Sequence, residues 1–273
     1  MWLKGENQVT NRSDYIDRLA EQWMRCGVQS GDMLLVHSSI KRTLINARRE
    51  GVALSPDDIL DSFVECLGSS GTLILPLFNF DFPRSKEFDI RSTPSQMGAL
   101  TEIARKRKGT VRTGHPIYSF AVLGKEAELF NGLVNESGYG KDSPFGLIHQ
   151  FNGKIASLDL EDQHSMTFYH YIEECLNVDY RYFKTFTGEY IDQSGTASKR
   201  DFKLYVRDLE RHVLTHVNPA GELMWERGLY AGDRPKTKAG LRTVGVSQMY
   251  DFISDLINSG NAEGNLFIYG DKE

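Results

Sequence analysis

Cysteine is scarce in this chain. Cys26, Cys66 and Cys175 are the only three among 273 residues. The number is odd and the spacing is not of metal type, which excludes a disulfide scaffold or a zinc ribbon and predicts buried free thiols in a reducing compartment. Long apolar runs are also lacking: no stretch approaches the ~18 residues that a membrane-spanning helix requires. The start Met1-Trp2-Leu3-Lys4-Gly5-Glu6 has neither the apolar segment nor the cleavage signal of a secretory leader. A soluble, cytoplasmic protein with no membrane partner is expected. Charge of one sign is in short supply too. The formal net charge is −5, which gives no electrostatic footprint for DNA or RNA, so nucleic acid is not an expected partner. Repeats and low-complexity linkers are missing, which favours one compact unit with two lobes, 1–176 and 177–273, over separable domains.

What is present is a 40% hydrophobic fraction cut into short runs. Tyr15, Ile16, Leu19, Trp23 and Met24 recur at three- and four-residue spacing and predict a helix from Ser13 to Cys26. Met33-Leu34-Leu35-Val36 is a continuous apolar run, the pattern of a strand buried on both faces, and it ends in His37-Ser38-Ser39. Ser55-Pro56-Asp57-Asp58 combines an N-cap, a first-turn proline and first-turn acids, so a helix runs to Leu67. Gly71 to Pro76 is a second buried strand. Strand, helix, strand with buried runs predicts an α/β fold with a mostly parallel central sheet and helices on both faces. Phe78 to Arg91 reads as a long loop. Thr93-Pro94-Ser95-Gln96 reads as a capping-box start for a helix to Lys108. Lys106, Arg107, Lys108 and Arg112 crowd its end, either as cations on the helix dipole or as a phosphate clamp. Phe120 to Leu123 and Gly153 to Leu160 are further strands, and a glycine-rich turn lies around Gly138 to Gly140.

Past Val178 the alternation in Tyr180 to Phe186 suits antiparallel strands. A helix over Asp201 to His216, a last helix from Ser247 and a strand at Leu266 to Tyr269 give a smaller mixed α+β lobe. The aromatic patch at Trp225 to Tyr230 suits either a homodimer interface or an acceptor wall.

The candidate catalytic group is His170. It falls in the first turn of a helix opened by Thr167 as N-cap, where the helix's positive end disfavours imidazolium. Glu173 lies three residues on, on the same helical surface, and is able to orient the ring and stabilise its cation. That is a base with a partner.

Taken together, Val36-His37-Ser38-Ser39, Gly71-Thr72-Leu73, Thr93 to Leu100, His115-Pro116 with Ser119, Ser143-Pro144-Phe145-Gly146 and Thr167-x-x-His170-x-x-Glu173 resemble the successive motifs of the aminoglycoside 3-N-acetyltransferase family, across residues 30–176. The resemblance implies transfer of an acyl group from acyl-CoA (acetyl-CoA or 3-hydroxybutyryl-CoA) to a primary amine on a sugar-like acceptor, without a metal. It implies His170 as base, with Glu173 and Thr167 at the same centre. The coenzyme is expected along His37, Ser38, Ser39, Thr72, Arg112, Ser119, Ser143, Pro144 and Phe145, so that 1–176 is the coenzyme-binding catalytic core.

The 177–273 lobe is then expected to bind the acceptor through Tyr180, Arg181, Tyr182 and Lys184. Aromatics interleaved with cations suit a base and a diphosphate better than a polycation, and the segment resembles family members placed in polysaccharide pathways. The leading expectation is therefore acylation of a nucleotide-linked amino sugar, a dTDP-3-amino-3,6-dideoxyhexose, for surface polysaccharide. An aminoglycoside acceptor is the first rival. A hydrolase is the second, using Cys175 with His170 or a metal held by Asp159, His164, His170 and Glu173. The five residues from His170 to Cys175 separate their directions by ~140° on a helix, which disfavours the thiol version. A binding module without catalysis would leave the strand-end polar motifs unexplained.

Overall fold

The computed structural model describes residues 11–270. Helix α1 (Arg12–Arg25) is capped by the Asn11 side chain and buries Tyr15, Leu19, Ala20 and Trp23, the face read from the spacing. Strand β1 (Met33–Ser38) follows, then α2 (Lys41–Arg49), which the sequence reading passed over. In α3 (Pro56–Leu67), Ser55 and Asp58 close a reciprocal capping box with Pro56 in the first turn. Strand β2 (Thr72–Pro76) is buried throughout.

The expected loop from Phe78 to Arg91 contains a one-turn helix, α4 (Phe82–Ser85), and a strand, β3 (Glu87–Asp89). Helix α5 (Ala99–Lys106) starts after Gly98 with no side-chain cap, not at Thr93. The polar residues that suggested a cap fold the preceding turn instead: the Ser95 hydroxyl accepts from the Met97 N–H, and the Ser95 N–H donates to Glu102. Next come β4 (Val111–Arg112), β5 (Phe120–Gly124), α6 (Pro144–Gln150), β6 (Lys154–Leu158) and α7 (Phe168–Cys175).

The rest of the chain is β7 (Arg181–Ile191), β8 (Ala197–Arg207), β9 (Val213–Thr215), α8 (Asn218–Glu226), β10 (Ala231–Gly232), β11 (Leu241–Gly245), α9 (Val246–Asn258) and β12 (Phe267–Tyr269). The helix expected over Asp201 to His216 is absent. Residues 197–207 pair antiparallel with β7 along its whole length, from Arg181 opposite Arg207 to Ile191 opposite Ala197.

The main sheet runs β10-β11-β6-β1-β2-β5-β4. At its centre β1 pairs in parallel with both β2 and β6, the α/β core expected from the buried runs, and antiparallel strands extend both edges. Alternation along the strands separates two cores. Leu34, Val36, Leu73 and Leu75 pack with the Trp23, Phe63 and Leu100 side chains of α1, α3 and α5. Met33, Leu35, Ile74 and Ile155 pack with Ile148, Phe168, Ile172 and Ile253 of α6, α7 and α9. Two smaller sheets, β3-β7-β8 and β12-β9, stand beside this frame. The expected division at 176/177 is crossed by β11, which pairs antiparallel with β6 inside the main sheet, and by α9, which packs in that core.

Candidate active site

β1 and β6 run side by side and in the same direction, so His37 and Ser38 finish at the same sheet edge as Leu158. That is the edge at which open α/β sheets place ligands. From it residues 159–167 lead into α7, whose first turn presents His170. Thr167 is helical rather than extended (φ −60, ψ −20) and its side chain makes no capping bond. Thr167, expected to cap, lines the same cavity as His170.

The Nδ1 atom of His170 lies 2.7 Å from Oε2 of Glu173. The Glu173 carboxylate is fully buried. Its second partner is Arg181, whose Nε lies 2.7 Å from that same oxygen. Burial opposes the carboxylate, but Arg181 and then His170 offset it and hold Glu173 below its ordinary range. Burial, reinforced by Arg181, holds His170 below 6.5 against the pull of Glu173. Burial is thus the largest of these influences keeping the imidazole neutral. With the ring proton on Nδ1 facing the carboxylate, Nε2 is left as the basic atom.

A cavity of about 240 Å³ opens onto this group, lined by His37, Phe78, Tyr118, Met166, Thr167 and His170 among others. Tyr139 sets its ring edge-on to His170, with centroids 5.2 Å apart. His37 is buried, and desolvation, with Arg242 nearby, lowers its pKa to about 3, so it too is neutral. Ser38 and Ser39 are half-buried beside it, and the Ser39 N–H donates to the Leu158 carbonyl. The expected residues that the cavity brings together are therefore His37, Thr167 and His170, with Glu173 behind the ring.

Other expected coenzyme residues lie elsewhere. Thr72 pairs with Met33 at the opposite end of β1, and its hydroxyl accepts from the Glu126 N–H. Arg112 is buried and bound to the Ser119 hydroxyl and to the carbonyls of Ile90 and Thr93. It staples the loop that precedes α5. Of the neighbouring cations, Lys106 pairs with Glu102, and Arg107 with Asp61. Ser143, Pro144 and Phe145 are buried, with Phe145 edge-on to Phe120 at 5.1 Å. Gly146 is required by packing, since a Cβ there would lie 1.9 Å from the Lys141 carbonyl oxygen.

The four expected acceptor residues divide. Tyr180 is buried and stacks on Phe267 at 4.0 Å, and Arg181 lies under Glu173. Tyr182 and Lys184 are exposed on the β7 and β8 hairpin. In the Trp225 to Tyr230 patch, Tyr230 is buried and donates to Asp162. Arg181 as the partner of Glu173 was missed. The one signal for it was chemical, namely that a carboxylate on a buried helical face needs a counter-charge.

The hydrolase readings do not fit. Asp159 is held by Arg42 through two 2.8 Å bonds, and Glu173 by Arg181. Among the described residues no three potential metal ligands converge. Burial raises the Cys175 thiol, which makes it a poor nucleophile.

The chain matches the family model described as Aminoglycoside 3-N-acetyltransferase over residues 35–258. Aminoglycoside N(3)-acetyltransferase IV of a Salmonella species is 25% identical over 143 residues, 51% of this chain and 51% of that protein. Aminoglycoside N(3)-acetyltransferase VII of Streptomyces paromomycinus is 26% identical over 161 residues, 52% of this chain and 54% of that protein. The chain thus spans about half the length of these curated relatives. The fold is shared more fully. A crystal structure of aminoglycoside acetyltransferase AAC(3)-Xa superposes with a TM-score of 0.73 at 21% identity, over 91% of this chain and 95% of that one. The binary complex of AAC-IIIb with CoASH gives 0.74 at 19% identity, over 97% and 99%.

These findings correct the expectation of a nucleotide-linked amino sugar as acceptor. The family model and the relatives carry the name of aminoglycoside acetyltransferases, and two of the four residues behind that expectation are buried in structural contacts. The match over 35–258 covers most of the chain, including both the sheet edge and the His170 helix, and the chain belongs to the aminoglycoside 3-N-acetyltransferase family.

Proposed function

We propose that this chain transfers the acetyl group of acetyl-CoA to the 3-amino group of an aminoglycoside. The observation that carries the reading is the neutral His170, hydrogen-bonded to a buried carboxylate and open to a cavity at the sheet edge. A sugar ammonium has to lose a proton before its nitrogen is a nucleophile, and Nε2 of His170 takes that proton. The nitrogen then attacks the thioester carbonyl, forming the C–N bond and an oxyanion. Among the residues that line the cavity, Thr167 carries the side-chain donor nearest in sequence to this base. The nitrogen, now bonded to carbon and cationic, releases its second ammonium proton to solvent; collapse breaks the C–S bond, and the proton held by His170 goes to the departing thiolate. Glu173 stabilises the imidazolium between these steps. His37, Ser38 and Ser39 hold the thioester end of the coenzyme at the strand end. The 1–176 segment supplies the base and this strand end, while residues after 177 supply Arg181 and the wall formed by Thr215 and Val217. Dependence on acyl-CoA fits a cytoplasmic location.

Thiol release from acetyl-CoA in the presence of gentamicin or sisomicin tests the reading, with 3-hydroxybutyryl-CoA in parallel to define the acyl chain. His170→Ala should retain the fold and lose roughly 10²–10⁴ in kcat/KM. A His170→Ala protein that turns over normally, or a wild type that releases no thiol with any aminoglycoside, would overturn it.

A further inference from the structure

We infer that Arg181 is a positioning residue for the base: from strand β7 it holds Glu173 ionised and aimed, so that Glu173 in turn fixes His170. The inference rests on the proposed acetyl transfer and extends it to a residue on a different element from the dyad. Glu173 is fully buried, and a buried carboxylate without a counter-charge takes up a proton. A neutral His170 supplies a hydrogen bond and no charge. Among the described residues, Arg181 is the full positive charge in contact with Glu173. Both groups converge on Oε2, while Oε1 has no hydrogen-bond partner. The guanidinium is itself fixed from behind: one Nη donates to the Tyr205 carbonyl at 3.2 Å and the other to the Thr215 hydroxyl at 3.4 Å. The β7 and β8 hairpin therefore sets the position of the carboxylate, and through it the angle of the imidazole.

The charge count makes this a matter of proton affinity as well as alignment. With Arg181, the neutral base, the carboxylate and the guanidinium sum to zero, and proton uptake from substrate makes the group +1. Without Arg181, the pair carries −1 in a buried place and captures a proton near neutral pH, so the base is occupied before substrate arrives. The other groups facing the pair do not replace that charge. Tyr139 and Tyr118, paired through their hydroxyls, together with Tyr180 and Tyr205, are all pushed upward by burial and stay neutral. Arg207 on β8 acts on His170 in the same sense as Arg181 but only through the charge it carries, without touching Glu173. Glu174 accepts from Ser137.

The test compares Arg181→Met, which removes the charge, with Arg181→Lys, which keeps it and loses the fork. Two readouts are followed across pH: kcat/KM for thiol release, and the His170 imidazole titration by NMR, assigned against His170→Ala. In Arg181→Met the acid limb and the His170 titration should both move up by about one pH unit or more, with at least about a tenfold loss of rate at pH 7 that recovers in part at high pH. In Arg181→Lys both should stay near the wild-type position. An unmoved titration in a folded Arg181→Met protein overturns the inference. If that variant does not fold, an upward shift in Arg181→Lys overturns it, because the charge is retained there. A wild type that releases no thiol but shows the shifted His170 titration on substitution sinks the acetyl-transfer reading and leaves the role of Arg181 in place.

Discussion

Three arginines, Arg112, Arg181 and Arg242, lie under 10% exposed, and a guanidinium that cannot reach water has to be answered by the groups around it. Arg181 meets Glu173, Arg242 meets Asp162 at 2.7 Å, and Arg112 meets a hydroxyl and two carbonyls but no carboxylate. Burial lowers the Arg112 pKa to about 10. Arg112 remains charged at neutral pH and acts as a clip between the loop before α5 and the start of β5. Replacing it with Met leaves two carbonyls and a hydroxyl short of donors, which should cost roughly 3 kcal/mol in urea denaturation. The KM for acetyl-CoA should remain within about twofold of wild type in the protein that stays folded, because the loss is of stability rather than of a ligand contact. A tenfold rise in KM with unchanged stability would return Arg112 to the coenzyme.

At the scale of elements, the connection from β6 to α7 decides whether the base is presented correctly. It is wired at almost every residue. Asp162 accepts from Tyr169 and Tyr230 and pairs with Arg242, and Gln163 donates to the Thr215 carbonyl while accepting from the Val217 N–H. Gly221 leaves room for this, since a Cβ there would sit 2.5 Å from the Asp162 carboxyl carbon. Asp162→Ala should therefore strand Arg242 and cost about 3–5 kcal/mol. Its thermal melt should drop well before acetyl transfer is assayed, and an unchanged melting temperature would refute the network's structural role. None of this wiring has a sequence period, which explains the uneven legibility of the chain. Buried strands such as Leu34 to Val36 and capped helices such as Pro56–Leu67 carry local signals and were readable. So was His170 with Glu173, because three residues on a helix is itself a contact. Strand β8 was misread as a helix because Phe202, Tyr205, Val206 and Leu209 mimic a 3.6-residue period, while the pairing with β7 is set by residues far away in sequence. The contacts of Arg181 with Glu173, Thr72 with the Glu126 N–H and Arg112 with buried carbonyls were not legible, because a cation or hydroxyl looks the same in sequence whatever it faces.

For the molecule as a whole, the acid response follows from histidines that the fold buries uncharged. His37 and His115 are both held to about 3, in each case first by desolvation. His115 also has a structural reason to resist a proton, because its Nδ1 accepts from the N–H groups of Ile117 and Tyr118 while Nε2 faces the Lys203 carbonyl. Protonation at Nδ1 would break the turn that leads into β5, although the Nε2 contact with the Lys203 carbonyl favours the charged ring. The sign is fixed by comparison with the unfolded chain, whose histidines bind protons near 6.5. Between 6.5 and about 3 the unfolded state takes up more protons than the native state, so stability falls as pH falls. Each histidine contributes a slope of up to about 1.4 kcal/mol per pH unit within that window. The acids act later. Glu102 and Asp89 are held at about 2 by Arg105 and Arg91, so their contribution is present above the ordinary carboxylate range and is lost only below it. Urea midpoints should thus be nearly equal at pH 7.5 and 7, then decline steadily from 6.5 to 5. His115→Gln should be less stable at pH 7.5 yet decline less steeply, because one of the histidines that take up a proton only on unfolding has been removed. Equal slopes in the two proteins would place the acid sensitivity outside the His115 turn.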